Sequence, residues 1–380
     1  MATTLTKKDV CGSALLIDSI RRFDWKFVEY YCEHKPSFIE HTRTLGNNTV
    51  LHQVCSVGSA PNHIIELIHN VWAQATNVQN RYGDTPLHIT TRTSSHTLYK
   101  VNLLMEFNPN ALLVKNHLGY TPLAIAIVSG SIFPVIRMIV EKEPTLLFEE
   151  DENGRSPVQL LISSFQKNIP GSLALRSYLE GGMMSNILSK FWAKLQYLIM
   201  RTYERKLGKT FGSIDDNLLC HAILAQGLEG EILRQILAIA LSIDKTLAMV
   251  VEVESRNSPL HILAERKDFI ACGAILSKCP DAAMIKNRQG RLPLHFAMEK
   301  EAINSSKDII KIHERGKLEN IHERGKLRMN ILKFVAANPE ALEYQDTCGV
   351  KTGFYPYMIA AADGDLQLTL DMLLMRSIIE

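Results

Sequence analysis

Histidine is the residue type whose positions in this 380-residue chain first suggest chemistry, because its imidazole can act as an acid, a base or a metal ligand near neutral pH. Four histidines occupy one slot, three residues after a Thr, Ser or Leu, as in Thr85-Pro86-Leu87-His88. No histidine is paired with a nucleophile or a carboxylate at an informative spacing, so catalysis would require one of the four to be special. The pattern instead predicts a structural role, in which each imidazole bonds backbone of its own turn or of the next unit. The four are His52, His88, His261 and His295.

Two short segments have the residue types of known ligand sites but lack required positions. Gly208-Lys209-Thr210 is similar to the end of a phosphate-binding loop, yet the glycine needed five positions earlier is replaced by Tyr203 and no strand precedes it. The acidic segment 149–154 is similar to the start of a calcium loop. Its twelfth position is Leu160 instead of a bidentate Glu, and Pro157 falls at the ninth. Neither nucleotide nor calcium binding is predicted.

Cysteines and overall charge also exclude several classes of protein. The seven cysteines are odd in number and scattered, with no Cys-x-x-Cys pair, so neither a disulfide framework nor a zinc site is expected and free buried thiols are predicted. A net charge of +2 gives no reason to expect a global nucleic-acid or membrane field. The sequence therefore predicts no enzyme, no cofactor and no metal. The cysteines are Cys11, Cys32, Cys55, Cys220, Cys272, Cys279 and Cys348.

The element that positions His88 is a turn followed by a short helix. Asn80-Arg81-Tyr82-Gly83 has the composition of a β-turn, in which Gly supplies backbone freedom. Thr85 suits an N-cap, and Pro86 suits the first helical position, where its missing N–H costs nothing. Leu87 is then the apolar anchor of the helix.

This segment recurs at a nearly constant period. Successive copies are 36, 36 and 35 residues apart from Thr49 to Ser156, and 34 residues separate Ser258 from Leu292. Proline follows several apolar helical stretches and ends each one, because it cannot continue a helix. These prolines are Pro109, Pro144, Pro280 and Pro339. Turn-plus-two-helix units of this length are typical of ankyrin repeats.

The chain thus resembles an ankyrin-repeat protein over most of its length, with divergent copies that lack the common Gly-Ala-Asp-Val-Asn type of loop. The resemblance implies an all-α solenoid of about eight or nine helix-turn-helix repeats. It also implies a non-catalytic scaffold that binds a partner protein through turn tips and the ends of inner helices. By the family's surface pattern, the matching positions are Arg81, Tyr82, Asp84, Arg92, His117, Leu118, Tyr120, Val128, Gln289, Arg291 and Glu299.

Breaks in the period divide the chain into six segments. The predicted segments are a tail and capping helix pair (1–45), repeats (46–172), an inserted basic amphipathic helix (173–215), repeats (216–300), a charged insert with a duplicated IHERGKL (301–328), and a last outer helix with a C-terminal capping repeat (329–380).

The basic helix at residues 185–209 leaves a second function open. Phe191 and Trp192 interleaved with Lys and Arg resemble a calmodulin target or a helix that binds an anionic membrane surface. The simpler interpretation is that the apolar face packs on the repeats while the charges are solvated. A regulatory sensor is therefore the alternative to the scaffold.

The sequence shows neither a recognisable targeting signal nor a membrane-spanning segment. The first ten residues have no apolar stretch after a basic start, and the most apolar stretch, 236–251, is interrupted by Asp244 and Lys245 and is too short to span a bilayer. We therefore expect a cytoplasmic protein, with the nucleus as a second location.

Overall fold

The computed structural model describes residues 7–92, 98–168, 186–210, 215–298, 328–346, 353–362 and 365–377. Within these ranges the chain is all-α, with one isolated β-bridge between Arg43 and Thr49 and no strand. The chain divides into two compact units. Unit 1 comprises Met1–Tyr178 and Met183–Arg205, and unit 2 comprises Leu179–Gly182 and Lys206–Glu380.

Unit 1 is built from short helices that alternate between an inner and an outer row. Apart from α3, which follows the first pair, they form five pairs within the described residues. The helices are α1 (Lys7–Arg21), α2 (Trp25–His34), α3 (Pro36–His41), α4 (Val50–Ser56), α5 (Asn62–Val71), α6 (Pro86–Arg92), α7 (Leu98–Phe107), α8 (Pro122–Val128), α9 (Phe133–Lys142), α10 (Pro157–Asn168) and α11 (Asn186–Lys206).

Unit 2 repeats the same arrangement in four described pairs. Its helices are α12 (Leu219–Leu224), α13 (Gly230–Ile243), α14 (Pro259–Glu265), α15 (Phe269–Lys278), α16 (Pro293–Met298), α17 (328–337), α18 (Pro356–Ala362) and α19 (Leu366–Arg376). The expected all-α solenoid of helix pairs is thus confirmed. Residues 301–327 of the predicted insert, which include the duplicated IHERGKL, and Cys348 lie outside the described residues.

The inner helices begin as their sequences predict. Thr49 Oγ1 accepts a hydrogen bond from the His52 amide at 3.3 Å, and Thr121 Oγ1 accepts one from the Ala124 amide at 3.3 Å. Proline is the first helical residue of α6 and α8, where its fixed φ suits the helix. The prolines after the outer helices each begin a short 3₁₀ helix, such as Pro109–Leu112 and Pro280–Met284.

The core lies between neighbouring inner helices and the outer helices behind them. In six of the inner helices, the residue two positions after the N-cap is an apolar side chain at most 1% exposed, and neighbouring inner helices within a unit pack against one another. Because this anchor position is buried in both units, an apolar residue recurs there with the period of the repeat. The buried anchors are Leu51, Leu87, Leu123, Val158, Leu260 and Leu294.

The basic helix α11 occupies the outer place of the fifth pair of unit 1. Lys194 Nζ donates to the carbonyl oxygens of Gly130 and Ser131 at 3.4 and 2.6 Å, in the loop after α8. Lys100 of α7 makes the same kind of contact two pairs earlier, where its Nζ donates to the Val57 and Gly58 carbonyls at 3.0 and 2.7 Å in the loop after α4. The shared contact indicates that α11 packs as an outer helix does, although the chain before it breaks the period.

We expect Leu87→Ala to lower the free energy of unfolding by about 2–5 kcal/mol, because it opens a cavity in the interface between inner helices. Chemical denaturation followed by circular dichroism measures this change. The matched control is Leu118→Ala, since Leu118 is 60% exposed and its truncation should cost less than about 0.5 kcal/mol. Similar losses for both variants would contradict this placement of the core.

Candidate functional site

The turn tip before α6 is held by the side chain of Asn80. Its Oδ1 accepts hydrogen bonds from the amides of Tyr82 at 2.9 Å and Asp84 at 3.0 Å, while the Gly83 amide donates to the Asn80 carbonyl at 3.0 Å. Asn and Asp favour such turns because their side chains bond backbone two residues on. In three other tips, the side-chain oxygen of the corresponding Asn or Asp also accepts hydrogen bonds from the amides two and four residues later. These residues are Asn116, Asp151 and Asn287.

Neighbouring tips are joined through their backbones. The Arg81 amide donates to the Gly46 carbonyl at 2.9 Å, and the His117 amide donates to the Tyr82 carbonyl at 3.0 Å. Gly83 has a φ of +77°, and a Cβ added there would lie 2.7 Å from the His117 nitrogen. Glycine is therefore required at this tip both for its backbone conformation and for the approach of the next tip.

Side chains add a second connection between tips. The amide nitrogen of Asn80 donates to Asn48 Oδ1 at 2.8 Å, and that of Asn116 donates to Asp84 Oδ1 at 2.7 Å. In unit 2, Asn287 Nδ2 donates to Asn257 Oδ1 at 3.1 Å. Each acceptor precedes an N-cap, so the turn of one repeat is tied to the start of the inner helix before it.

The histidine slot supplies the third connection. His88 Nδ1 lies 3.1 Å from the Thr85 amide and 2.8 Å from the Thr85 hydroxyl, and its Nε2 lies 2.9 Å from the Tyr120 carbonyl oxygen. A carbonyl can only accept, so Nε2 carries the proton and Nδ1 accepts. Nε2 also bonds a carbonyl of the next turn in each of the other slots, at 2.9 to 3.1 Å. The histidines in those slots are His52, His261 and His295. Their hydrogen bonds confirm the structural role predicted for these side chains.

These contacts fix the histidines in the neutral form. Burial lowers the pKa of His52 and of His261 to about 4, and it also lowers the pKa of His88. A second proton would have to sit on Nδ1, which already faces a backbone N–H. The ring is thus suited to bridging two repeats and is not available as a general acid or base at neutral pH.

Not every repeat has the complete histidine arrangement, and in the repeat that begins at Thr121 the slot holds Ala124. Gln159 Oε1 accepts from the Ser156 amide at 3.0 Å, so a carboxamide reproduces the contact that Nδ1 makes elsewhere. His221 follows Leu218, which offers no capping hydroxyl, and its Nδ1 has no hydrogen-bond partner among the described residues. The bridge from His221 Nε2 to the Asn257 carbonyl is kept at 3.0 Å.

Several of the residues expected to bind a partner do lie on the surface of the tips. Tyr82 is 62% exposed and Leu118 is 60% exposed, and the side chains of Arg81 and His117 beside them are also exposed. At the far end of α8, Val128 is 39% exposed. Arg92 and Gln289 are exposed, whereas Tyr120 is half-buried and its hydroxyl accepts a hydrogen bond from Arg155 at 3.2 Å.

Two of the expected positions are buried and require correction. Asp84 is 1% exposed, because its carboxylate accepts hydrogen bonds from Arg92 at 3.0 Å and Asn116 at 2.7 Å. Arg291 is 5% exposed and forms an ion pair with the buried Asp346 at 2.9 Å. Both side chains hold turns together instead of facing a partner. Glu299, the last expected position, lies outside the described residues.

The surface also contains residues that the sequence patterns do not predict. Leu45, in the first tip, is fully exposed and precedes Gly46, whose carbonyl receives the next tip. The structural residue Asn80 was part of the predicted turn but was given no role. The spacing of Asn or Asp three residues before Gly, as in Asn80–Gly83 and Asn116–Gly119, could have identified it.

The basic helix presents its charges and not its aromatic rings. Phe191 and Trp192 are 8% and 7% exposed, and the Phe191 ring stacks on Phe165 with centroids 3.8 Å apart. Burial lowers the pKa of Lys194, whose ammonium lies against backbone carbonyls. The side chain of Lys190 is exposed. The apolar face of α11 therefore packs inside unit 1, as the simpler of the two interpretations of this helix expects.

The cysteines and the acidic segment 149–154 are the other residues whose types could do chemistry. All five described cysteine side chains are free and buried, and burial raises the pKa of Cys55 to about 11 and that of Cys220 to about 12. No group of three or more His, Cys, Asp or Glu side chains in the described ranges is placed to hold a metal ion. The Asp151 carboxylate of the calcium-like segment accepts from the Asn153 and Arg155 amides, as the repeat's own turn requires.

The turn tips and helix pairs lie partly in a region that matches a known family. Residues 51–147 match the family described as ankyrin repeats, with three copies. This part of the chain is thus similar to ankyrin repeats. The match spans α4 to the 3₁₀ helix after α9, and the same turn continues beyond it at Asp151 and Asn287. Ankyrin repeats are protein-interaction modules, so this assignment gives the general function. None of the helices in the described ranges combines the length and apolarity needed to cross a bilayer.

The buried histidines predict a pH dependence of stability. Because burial lowers the pKa of His52 and His261 to about 4 in the folded state, against about 6.5 unfolded, the unfolded chain binds more protons between these values. Their contribution is complete above pH 6.5 and is lost as the pH falls towards 4. We expect the unfolding free energy to drop by on the order of 1–3 kcal/mol per histidine over this interval, measured by urea denaturation.

Replacement by glutamine provides the control, since Gln159 occupies the same slot naturally. The double variant His52→Gln/His261→Gln should retain most stability at pH 7 and lose less than wild type at pH 4.5. The exposed His117→Gln variant should keep the wild-type slope. An unchanged slope in the double variant would contradict the neutral, buried assignment.

Proposed function

We propose that this chain is a non-catalytic scaffold that binds a partner protein through its ankyrin turn tips and inner-helix ends. The observation that carries the proposal is a contrast within each tip. Asn80 and Asn116 are committed to internal hydrogen bonds, whereas Tyr82 and Leu118 on the same turns extend into solvent. A rigid backbone that presents exposed aromatic and apolar side chains is suited to binding, because little conformational entropy is lost on association.

The chemistry of these tips fits a protein surface. Tyr82 and the adjacent Arg81 are of the residue types that dominate binding hot spots. Leu45 and Leu118, on the tips to either side, add apolar area that a partner could bury. Arg92 adds a positive charge at the end of α6, where its guanidinium is half-exposed while it bonds Asp84. The surface therefore combines an apolar row with basic groups beside it.

Cytoplasmic or nuclear residence is part of the proposal. The five described cysteine side chains are free and buried, which suits a reducing compartment. The partner protein itself is left to experiment, because no residue of the tips specifies one binding sequence.

The sensor alternative would require α11 to leave its place. Calmodulin or an anionic membrane would have to bind Phe191 and Trp192, which are buried against unit 1, and would break the two carbonyl contacts of Lys194. This burial weighs against capture of the helix by either ligand. We therefore propose the scaffold and not the sensor.

The test is capture of proteins from native lysate, quantified by mass spectrometry, with wild type and Tyr82→Ala/Leu118→Ala. We expect at least one partner to be bound at least about tenfold more weakly by the variant, because both side chains are exposed and an aromatic hot spot is removed. Retention of every partner by the variant would contradict a binding role for the tips.

The matched control is Tyr99→Ala/Ile132→Ala. Tyr99 and Ile132 are 55% and 43% exposed, but they lie where α7 and α9 begin, at the opposite end of the outer helices from the tips. This control should bind as wild type does. Circular dichroism of all three proteins confirms equal folding.

A further inference from the structure

Three neighbouring turn tips of unit 1 can be compared place by place, because each is closed by the same hydrogen bonds to Asn80, Asn116 or Asp151. The residue that directly follows the Asn or Asp faces solvent in all three tips. Its charge changes along the stack, since it is an arginine in the first of these tips, a histidine in the second and a glutamate in the third. These residues, which we call the charge row, are Arg81, His117 and Glu152.

The charge row is continuous because its side chains lean towards the preceding tip. A Cβ added to Gly83 would lie 2.8 Å from His117 Cδ2, and one added to Gly119 would lie 2.9 Å from Glu152 Cγ. Each of these two side chains therefore lies against the glycine of the tip before it. A partner bound at one tip thus also reaches the charge-row side chain of the next.

The two charged ends of the row have no internal counter-ion among the described residues. The side chains of Arg81 and Glu152 form no hydrogen bond or ion pair within the ranges that the structure describes. The carboxylate of Asp84, three residues after Arg81, is buried and already accepts two hydrogen bonds. Lys115 is paired with Glu149 at 2.8 Å, so its charge is also satisfied within the chain. A partner can therefore supply the opposite charge at both ends of the row.

Apolar area lies beside the first two members of the charge row. The next residue in each tip is Tyr82, Leu118 or Asn153, and the first two of these are 62% and 60% exposed. An aromatic ring and a leucine side chain thus lie next to Arg81 and His117, whereas the third tip offers only a polar side chain. The surface combines charges of opposite sign at its two ends with apolar groups on its first two tips.

The distance between tips determines which form of partner fits. Helix α8 packs against both α6 and α10. Packed helices lie about 8–10 Å apart, so two steps of the stack separate Arg81 from Glu152 by roughly 16–20 Å. A chain in the polyproline II conformation rises about 3.1 Å per residue and presents every third side chain on one face, at intervals of about 9 Å. One face of such a segment repeats with the spacing of the tips, and about six residues connect the two charged ends.

We propose that the partner is an extended protein segment of mixed charge, with an acidic side chain bound to Arg81 and a basic one bound to Glu152 about six residues away. Apolar side chains between them pack on Tyr82 and Leu118. This inference rests on the proposed function, because it names the chemistry of the partner that the tips bind. The reversal of charge along the row weighs against a uniform polyanion, such as nucleic acid or an anionic membrane, which Glu152 would repel.

The test is selection of binders from a phage-displayed library of random peptides of about twelve residues, twice the expected charge spacing, on the immobilised full chain. The variants are Arg81→Glu and Glu152→Lys, both at exposed positions. The matched control is Arg288→Glu, because Arg288 is also exposed and follows Asn287 in the same type of turn in unit 2. Circular dichroism verifies that every variant folds as wild type does.

We expect wild type to enrich peptides that carry an acidic and a basic residue about six positions apart. Synthetic copies of these peptides should bind Arg81→Glu and Glu152→Lys at least about tenfold more weakly than wild type in fluorescence anisotropy, because each variant places like charges together. Binding to Arg288→Glu should be unchanged. The absence of enrichment, enrichment without the charge pair, or an equal loss of binding in all three variants would overturn the proposal.

The variant Tyr82→Ala/Leu118→Ala separates this inference from the proposed function. Enriched peptides that lack the charge pair but bind this variant more weakly than wild type would overturn the charge pattern and retain the tips as the binding surface. Peptides that bind every variant, including this one, as tightly as they bind wild type would contradict the proposed function itself.

Discussion

Each imidazole in the fixed slot joins two consecutive helix pairs through hydrogen bonds that only its neutral form can make. Nδ1 accepts from the amide at the start of its own helix, and Nε2 donates to a carbonyl of the next turn, as for His88 between Thr85 and Tyr120. The ring is buried, so an unmatched proton or a rotated ring would leave a polar group unpaired in the interior. The register of one repeat on the next depends on this contact.

The turn tips follow from the same constraint. Because the carbonyl of Tyr120 must reach His88, the loop between them has to return to one position, and Asn116 sets that return by bonding the Leu118 and Tyr120 amides. The tip side chains that take no part in these bonds are free to vary. This division explains how a rigid surface can carry exposed residues such as Tyr82 without loss of order behind it.

Much of the fold is predictable from local sequence because its determinants are local. Thr85 and Pro86 start a helix through capping and fixed φ, and Pro109 ends one, whatever surrounds them. Whether a polar side chain is buried, in contrast, depends on residues far away in the sequence. Asp84 and Arg291 are hidden because Asn116 and Asp346, 32 and 55 residues away, reach them from the next repeat. Surface positions transferred from a family pattern therefore fail where divergent turns use charge for internal pairing.

Helix α11 shows a further limit of prediction from sequence. Its length and basic residues set it apart, and the irregular chain before it hides its relation to α10. The decisive contact is that of Lys194 with the loop after α8, which repeats the contact that Lys100 makes two pairs earlier with the loop after α4. Equivalent lysines 94 residues apart give no periodic signal when the intervening chain varies in length.

Successive repeats are locked together at their tips, and a pair of glycines provides the most direct test of this connection. Gly83 and Gly130 have nearly equal φ values of +77° and +75°, but a Cβ at Gly83 would meet the next tip at 2.7 Å whereas one at Gly130 meets nothing within 4 Å. Alanine at Gly130 should cost about 1–2 kcal/mol of unfolding free energy, from backbone conformation alone. Alanine at Gly83 should cost at least about 1 kcal/mol more, because it forces two tips apart. Equal losses by urea denaturation would contradict the account.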